Sequence, residues 1–222
     1  MLRSSTTAAP VTTPAERRQA LAVLDATYTH EKHWVDEAAD LFPEAHLASD
    51  DVCWILATVG DDPAGVLRVH FDPPLFDYAE YDFDPVGRGA SLDVNTFIQT
   101  HEIAQIGPFA VRPAYRRRIR VVFWLMLVAG AETLTRGYTH YVTDVFEDEE
   151  HSPHRFHTRV LDFEPVATHD TGAMDCLHRR ITLVLTPPRR PESPLPLPDR
   201  RARRPAPAGR GRLNPAQFMQ KH

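Results

Sequence analysis

Cysteine, lysine and long apolar runs are scarce in this sequence of 222 residues. Its only cysteines, Cys53 and Cys176, lack the spacing of metal ligands, and we assign them no chemistry. The longest strongly apolar stretch, residues 121–131, is about half the length that a bilayer-spanning helix needs. Residues 1–18 lack the apolar segment of a secretory signal. The sequence therefore predicts a cytoplasmic protein without a membrane span.

Signatures of several enzyme classes are absent from the sequence as well. It has no nucleophile elbow, no Walker loop and no dinucleotide glycine fingerprint, so hydrolase and dehydrogenase functions have no support. His151, His154 and His157 follow the acidic residues 147–150, but their i, i+3, i+6 spacing drifts off one helix face. We therefore predict no metal site.

Charge is divided unevenly along the chain. Residues 186–222 carry nine basic and two acidic residues, a net charge of +7, whereas the rest carries −12. This tail holds nine of the 20 prolines and cannot bury enough surface to offset its ordering entropy. We expect residues 1–13 and 186–222 to be disordered around one domain at residues 14–185. Because the body is acidic, a solvated tail or an acidic protein partner is favoured, and no nucleic-acid binding is expected.

The first half of the domain predicts a helix followed by a hairpin. Thr13-Pro14-Ala15-Glu16 has the form of a capping box, which begins a helix. Residues 52–59 and 66–71 are strand-like and flank a turn-forming segment. Residues 72–89 mix acidic and aromatic residues without a period and predict a long surface loop.

The second half predicts an interrupted strand followed by an apolar helix. Gly107-Pro108 breaks the strand of residues 101–111, and the missing proline N–H predicts a bulge or splay. The helix of residues 115–136 is apolar on every side at its middle, which predicts a largely buried helix. The whole order reads α, α, β, β, β, α, β, α, β, β. A mixed sheet with helices on both faces buries this pattern, so the predicted class is α/β.

The junction between the splayed strand and the helix predicts an anion site. Helix starts attract anions, and Arg116, Arg117 and Arg118 add charge that can contact phosphate. A splayed strand can also pair with an extended, amide-bearing ligand, and pantetheine is such a ligand. A solvated arginine cluster on an ordinary helix remains the alternative.

This junction resembles the strand-to-helix motif of the GNAT (N-acetyltransferase-like) enzymes, in which Val-x-Pro precedes Arg/Gln-x-x-Gly-x-Gly/Ala. Val111-Arg112-Pro113 matches the first part, and Arg116 falls on the first position of the second. Ile119 and Val121 stand where the family has small residues that allow close approach of a pyrophosphate. This departure is similar to the autoinducer synthases and N-acyl amino acid synthases, a branch that often takes acyl groups from acyl carrier protein.

Three further segments resemble the same branch. Residues 28–34 resemble its "Tyr … Glu-Lys-x-Trp" helix end, and Gly65-Val-Leu-Arg68 resembles its "Gly-x-x-Arg" strand. Residues 156–163 resemble its "Phe-Tyr-Arg-Arg-x-Leu-Gly-Phe" helix. The resemblance covers residues 15–185 and implies the GNAT fold, a mixed α/β (α+β) sheet with a splayed strand.

The resemblance implies an N-acyltransferase that uses a phosphopantetheine thioester. The donor would be acyl carrier protein or acyl-CoA, the acceptor a small amine such as an amino acid or peptide, and no cofactor would be tightly bound. An acyl carrier protein presents a single phosphodiester where coenzyme A presents a pyrophosphate, so its binding depends less on the small residues that this motif lacks. The arginines would meet the acidic surface of the carrier. The alternatives are an acetyl-CoA-dependent small-molecule N-acetyltransferase and a GNAT-fold binding module without turnover.

The resemblance also implies the binding residues. Arg68, with Tyr28 and Trp34, would bind the acceptor, although Arg68 can equally pair with the acidic loop. Backbone N–H groups near Phe109 and Val111 would meet the thioester oxygen. The donor would contact Phe109, Val111, Arg112, Arg116, Arg117, Arg118, Ile119, Arg120 and Val121.

Catalysis needs a proton acceptor near the splayed strand. Glu102 is the preferred base, and Gln105 stands where the resembling branch tends to have a glutamate; either can instead be a strand-end polar group. The resemblance implies that His157 stands where many GNAT enzymes have a tyrosine opposite the leaving thiolate; it can give or accept a proton there, or serve a structural role. Asp144 is predicted to orient the amine or pair with His157.

Overall fold

An eight-stranded mixed sheet organises the protein in the computed structural model. The structure describes residues 5–71, 83–87, 93–138, 140–147, 149, 152–170 and 180–185. The strand order is β1-β2-β3-β5-β6-β8-β7-β4, with β5 and β6 parallel and the other neighbours antiparallel. The strands are β1 (Thr6–Pro10), β2 (Val52–Val59), β3 (Asp62–Phe71), β4 (Asp84–Pro85), β5 (Ile103–Val111), β6 (His140–Phe146), β7 (Glu164–His169) and β8 (Arg180–Leu185).

Five α-helices lie within the described ranges: α1 (Pro14–Leu24), α2 (Ala38–Leu41), α3 (Val94–Thr100), α4 (Ile119–Thr135) and α5 (His154–Val160). The predicted capping box begins α1: Glu16 N donates to the Thr13 hydroxyl at 3.2 Å, and the Glu16 carboxylate accepts from Thr13 N at 2.9 Å. A π-helical turn, Asp25–Thr29, extends α1. No helix in the described ranges is long and apolar enough to span a membrane.

The hydrophobic core lies on both faces of the sheet. Along β2, Ile55 packs in the cluster that includes residues of α4, whereas Trp54 and Leu56 pack in the cluster that includes residues of α1. Alternate residues of a strand point to opposite faces, so this single strand supplies both layers. The predicted mixed sheet with helices on both faces is confirmed.

The predicted disorder of residues 1–13 is wrong for the part that forms β1. Thr6–Pro10 pairs along its whole length with β2, from Thr6 opposite Val59 to Pro10 opposite Ile55. Main-chain pairing with the edge of β2 orders this segment, and its small side chains gave no apolar period by which to predict it. Residues 1–4, the tail of residues 186–222 and most of the predicted loop of residues 72–89 lie outside the described ranges.

The expectation that α4 is largely buried is wrong for one of its faces. Val121, Leu125, Ala129 and Thr133 face the sheet at intervals of four residues. A single helix layer buries only one stripe, and the opposite stripe, Ile119, Phe123, Leu127 and Leu134, is exposed.

Gly65 on β3 allows α4 to lie close to the sheet. A Cβ at this position would lie 2.8 Å from Val121 Cγ1 and 3.0 Å from Leu125 Cδ1. Both glycine and valine belong to the segments that carried the family resemblance, and here they pack against each other.

Candidate active site

A cavity of about 510 Å³ opens where β5 and β6 separate. The two strands pair only from Ile103 to Gln105, after which β5 diverges, so the predicted splay is confirmed. The Thr143 hydroxyl donates to the Ile106 carbonyl oxygen at 2.7 Å across the beginning of the gap. The cavity is also lined by the π-helical turn after α1, the start of α5 and the segment between β6 and α5.

The structure brings nine of the predicted residues together around this cavity. They are Tyr28, Trp34, Arg68, Gln105, Phe109, Val111, Arg116, Asp144 and His157.

Tyr28 bonds to the open edge of β5. Its hydroxyl donates to the Phe109 carbonyl oxygen at 3.1 Å and accepts from the Phe109 N–H at 3.2 Å. Burial raises the pKa of Tyr28 to about 12, so the hydroxyl keeps its proton at neutral pH. The Phe109 N–H, which the resemblance assigns to the thioester oxygen, is therefore bonded to this hydroxyl.

Aromatic rings continue from Tyr28 along one wall. The Tyr28 and Trp34 rings meet edge-on with centroids 5.3 Å apart, and the Phe146 ring lies 4.5 Å from Trp34. All three residues line the cavity. This wall suits an apolar or aromatic part of a ligand.

Arg68 supports the splayed strand from the neighbouring strand β3. Its Nε donates to the Gly107 carbonyl oxygen at 2.7 Å, and its Nη2 donates to Gln105 Oε1 at 3.4 Å. The guanidinium also lies 5.9 Å from the Trp54 ring centroid. Arg68 thus stabilises the backbone of β5 at the Gly107-Pro108 break, and it also lines the cavity.

Arg116 is held by a carboxylate at the cavity. Its guanidinium makes a bidentate ion pair with Glu31, with Nη1 donating to Oε1 at 2.7 Å and Nη2 contacting Oε2. The two side chains are 23% and 27% exposed. Arg116 Nε also donates to the Val111 carbonyl oxygen at 3.2 Å. The residue predicted to meet a phosphate therefore already has an anionic partner.

His157 is buried at the first turns of α5. Its Nδ1 lies 3.0 Å from the Pro153 carbonyl oxygen, which only accepts, so Nδ1 carries the proton in the neutral ring. Nε2 is then an acceptor, and in the described part of the chain it has no hydrogen-bond partner. Burial lowers the pKa of His157, with nearby His154 adding to this effect.

Asp144 lies on β6 beside a histidine that was not among the predicted site residues. Asp144 Oδ1 is 3.5 Å from Nε2 of His169, which is fully buried on β7. The predicted pairing of Asp144 with His157 is wrong, because His157 Nδ1 faces the Pro153 carbonyl oxygen and its Nε2 has no hydrogen-bond partner in the described part of the chain.

Seven predicted residues do not line the cavity. Glu102 precedes β5 and is exposed. Val121 lies in the core because its side chain faces β3. Arg112 Nη1 donates to the Pro63 carbonyl oxygen at 3.1 Å. The remaining four, Arg117, Arg118, Ile119 and Arg120, are exposed around the start of α4.

Two charged residues of the cavity were missed as site residues. Lys32 and Glu149 both line it and form an ion pair, with side chains 18% and 7% exposed. Lys32 lies in the mixed segment of residues 30–33 and Glu149 in the acidic run of residues 147–150, and such charged runs usually indicate a solvated loop. For Lys32 two signals were available: it is the lysine of the Glu-Lys-x-Trp motif, and the chain has only one other lysine, Lys221.

Known structures share this fold. FeeM, an N-acyl amino acid synthase from uncultured soil microbes, superposes with a TM-score of 0.61 at 14% identity, over 82% of this chain and 90% of that chain. An aminoglycoside 6′-N-acetyltransferase in complex with coenzyme A gives 0.54 at 14% identity, over 83% and 99%. NAA60 of Arabidopsis thaliana in complex with acetyl-CoA gives 0.55 at 13% identity, over 82% and 99%.

Sequence comparisons add no closer relationship. No family model matches the chain, and no curated protein matches it. The fold is that of the GNAT N-acetyltransferases, as the sequence resemblance implied.

Proposed function

We propose that this protein is an N-acyltransferase that moves an acyl group from a phosphopantetheine thioester to an amine of an amino acid, peptide or related small molecule. The observation that carries the proposal is the cavity at the splay of β5 and β6, with main-chain groups of β5 on one side and α4 starting beside it. An extended, amide-bearing ligand can pair with such an edge as an added strand would.

The donor would bind by replacing two hydrogen-bonding partners that the cavity residues have in this structure. Tyr28 would release the Phe109 N–H, which then stabilises the thioester oxygen as negative charge develops. Arg116 would exchange the Glu31 carboxylate for a donor phosphate, which offers similar bidentate acceptor geometry. Each exchange replaces one polar partner with another, so the buried groups stay hydrogen-bonded.

An acyl carrier protein is the donor source that we favour. Ile119 is 65% exposed at the position where GNAT enzymes have a small residue, and Arg117, Arg118 and Arg120 are exposed around it. These cations face outward, so they suit the surface of an acidic partner better than a pyrophosphate inside the cavity. Acyl-CoA is the alternative donor, and two of the structural neighbours carry CoA or acetyl-CoA.

Direct attack of the amine on the thioester is the proposed route. The hydroxyls of Thr27, Thr143 and Ser152 line the cavity, but each donates to a backbone carbonyl oxygen. Cys53 lies in the core, where burial raises its pKa to about 11. Neither group is an activated nucleophile, so a covalent acyl-enzyme is not part of the proposal.

Intact-mass spectrometry tests the donor. Acyl carrier protein and CoA, each loaded with short and long acyl chains, are incubated with the protein and a pool of amines. Loss of acyl mass from the carrier with an amide product supports the carrier-dependent reaction, and loss only from CoA supports the acetyltransferase alternative. Binding of either donor without any product would instead favour a GNAT-fold binding module.

A further inference from the structure

Glu149 is a nearly buried carboxylate with one oxygen left over. Its side chain is 7% exposed and lines the cavity. Lys32 Nζ donates to Oε1. Within the described ranges, Glu149 Oε2 accepts no hydrogen bond. It is not among the buried side-chain atoms that lack a partner, so it remains accessible.

The partner of Glu149 also contacts an aromatic ring of the cavity. Lys32 is 18% exposed, and its Nζ lies 5.9 Å from the centroid of the Trp34 ring. A carboxylate with so little water is strongly disfavoured without a compensating charge, and Lys32 supplies that charge. Lys32 therefore balances the charge of Glu149 while contacting only one of its two oxygens.

We propose that Glu149 binds the amino group of the acyl acceptor through Oε2 and takes its proton, with Lys32 as the positioning residue. This inference rests on the proposed N-acyltransferase function. It gives the reaction the proton acceptor that Glu102 was expected to be.

The other candidates for this role are less well placed. Glu102 is exposed and does not line the cavity, and the amide of Gln105 cannot take a proton. Nε2 of His157 is enclosed, with almost no accessible surface. Asp144 lines the cavity beside buried His169 and is the remaining carboxylate to compare.

The proposed step balances for a primary ammonium acceptor. Glu149 takes one proton, and the neutral nitrogen attacks the thioester carbonyl carbon. The C–N bond forms and the C–S bond breaks. The amide keeps one of the two remaining nitrogen protons, and the other passes to the leaving thiolate to give a free thiol.

The test uses two acceptors that differ in their need for a base. The variant Glu149→Gln keeps the shape of the side chain but cannot take a proton. 2-Phenylethylamine is protonated at pH 7 and fits the aromatic wall, whereas hydroxylamine is neutral at that pH. Initial rates of free-thiol release are measured with the octanoyl donor, carrier or CoA, that the wild type uses.

We expect Glu149→Gln to lower kcat with 2-phenylethylamine by about 10²–10⁴-fold, the range for loss of a general base, and to change the rate with hydroxylamine little. Lys32→Met should raise KM for the amine as well as lower kcat. Glu147→Gln, in the same segment but outside the cavity lining, is the matched control and should behave as wild type.

Three outcomes would overturn the assignment while leaving the proposed function intact: equal losses with both acceptors, no loss with either, or a selective loss in Asp144→Asn alone. Calorimetric titration of 2-phenylethylamine provides a readout without turnover. Binding to wild type that Glu149→Gln weakens supports the amine site even if no donor is consumed, and no binding to wild type contradicts it. Failure of the wild type to use any donor would refute the proposed function separately.

Discussion

Replacement of Glu31 by glutamine should strengthen donor binding, although Glu31 contributes no group to the donor. The Arg116–Glu31 pair must open before Arg116 can meet a donor phosphate. The pair is bidentate and about three-quarters buried, so it should exceed the typical exposed pair and contribute about 1–1.5 kcal/mol. Removing this competition predicts about a five- to tenfold lower Kd for the donor.

Isothermal titration with pantetheine 4′-phosphate measures this effect, because both donor classes contain that group. Glu132→Gln is the control, since Glu132 pairs with Arg136 at the opposite end of α4. In an Arg116→Gln background, Glu31→Gln should have no further effect on the Kd. Unchanged or weaker binding by Glu31→Gln alone would refute the reasoning and make the pair purely structural.

Three further predictions concern other parts of the structure. Tyr28→Phe removes a buried hydroxyl that makes two hydrogen bonds to β5, so it should lower the free energy of unfolding, measured by urea denaturation, by about 1–2 kcal/mol. An unchanged free energy of unfolding would contradict these hydrogen bonds. Gly65→Ala should destabilise by about 1–3 kcal/mol because its Cβ would meet Val121, whereas Gly130→Ala on α4, with nothing within 4 Å, should be neutral or stabilising. Burial lowers the pKa of His157 in the folded protein, so the unfolded chain binds a proton on His157 first as the pH falls below the ordinary value of 6.5. The free energy of unfolding of the wild type should therefore fall faster below that pH than that of His157→Gln. Parallel pH profiles of the two proteins would refute this.

Local sequence signals predicted most of the fold. The capping box at Thr13 and Glu16 acts within one helical turn, and Gly107-Pro108 marks the splay at its own position. The edge strand β1 was missed because its order comes from pairing with β2, about 50 residues away in sequence. The exposure of Phe123 and Leu127 was missed because the apolar composition of α4 does not reveal how many layers cover it.

The part of the site that could be predicted lies in short sequence motifs. The positions of Tyr28, Arg68 and Arg116 at the cavity follow from the segments that resemble GNAT enzymes. The two ion pairs of the site could not be predicted in this way, because they join residues far apart in sequence. Glu31 and Arg116 are 85 positions apart, and Lys32 and Glu149 are 117 positions apart. Such pairs depend on tertiary packing, so the charges in the sequence around each residue could not indicate its partner.

Direct acyl transfer is tested most directly by a single-turnover measurement with intact-mass detection of every species. An acyl thioester and an amine are mixed with excess protein, and free thiol, amide and protein mass are followed together. The proposal predicts one amide for each thiol released, with the protein mass unchanged throughout. Thiol release with the acyl mass retained on the protein, or without any amide, would contradict it.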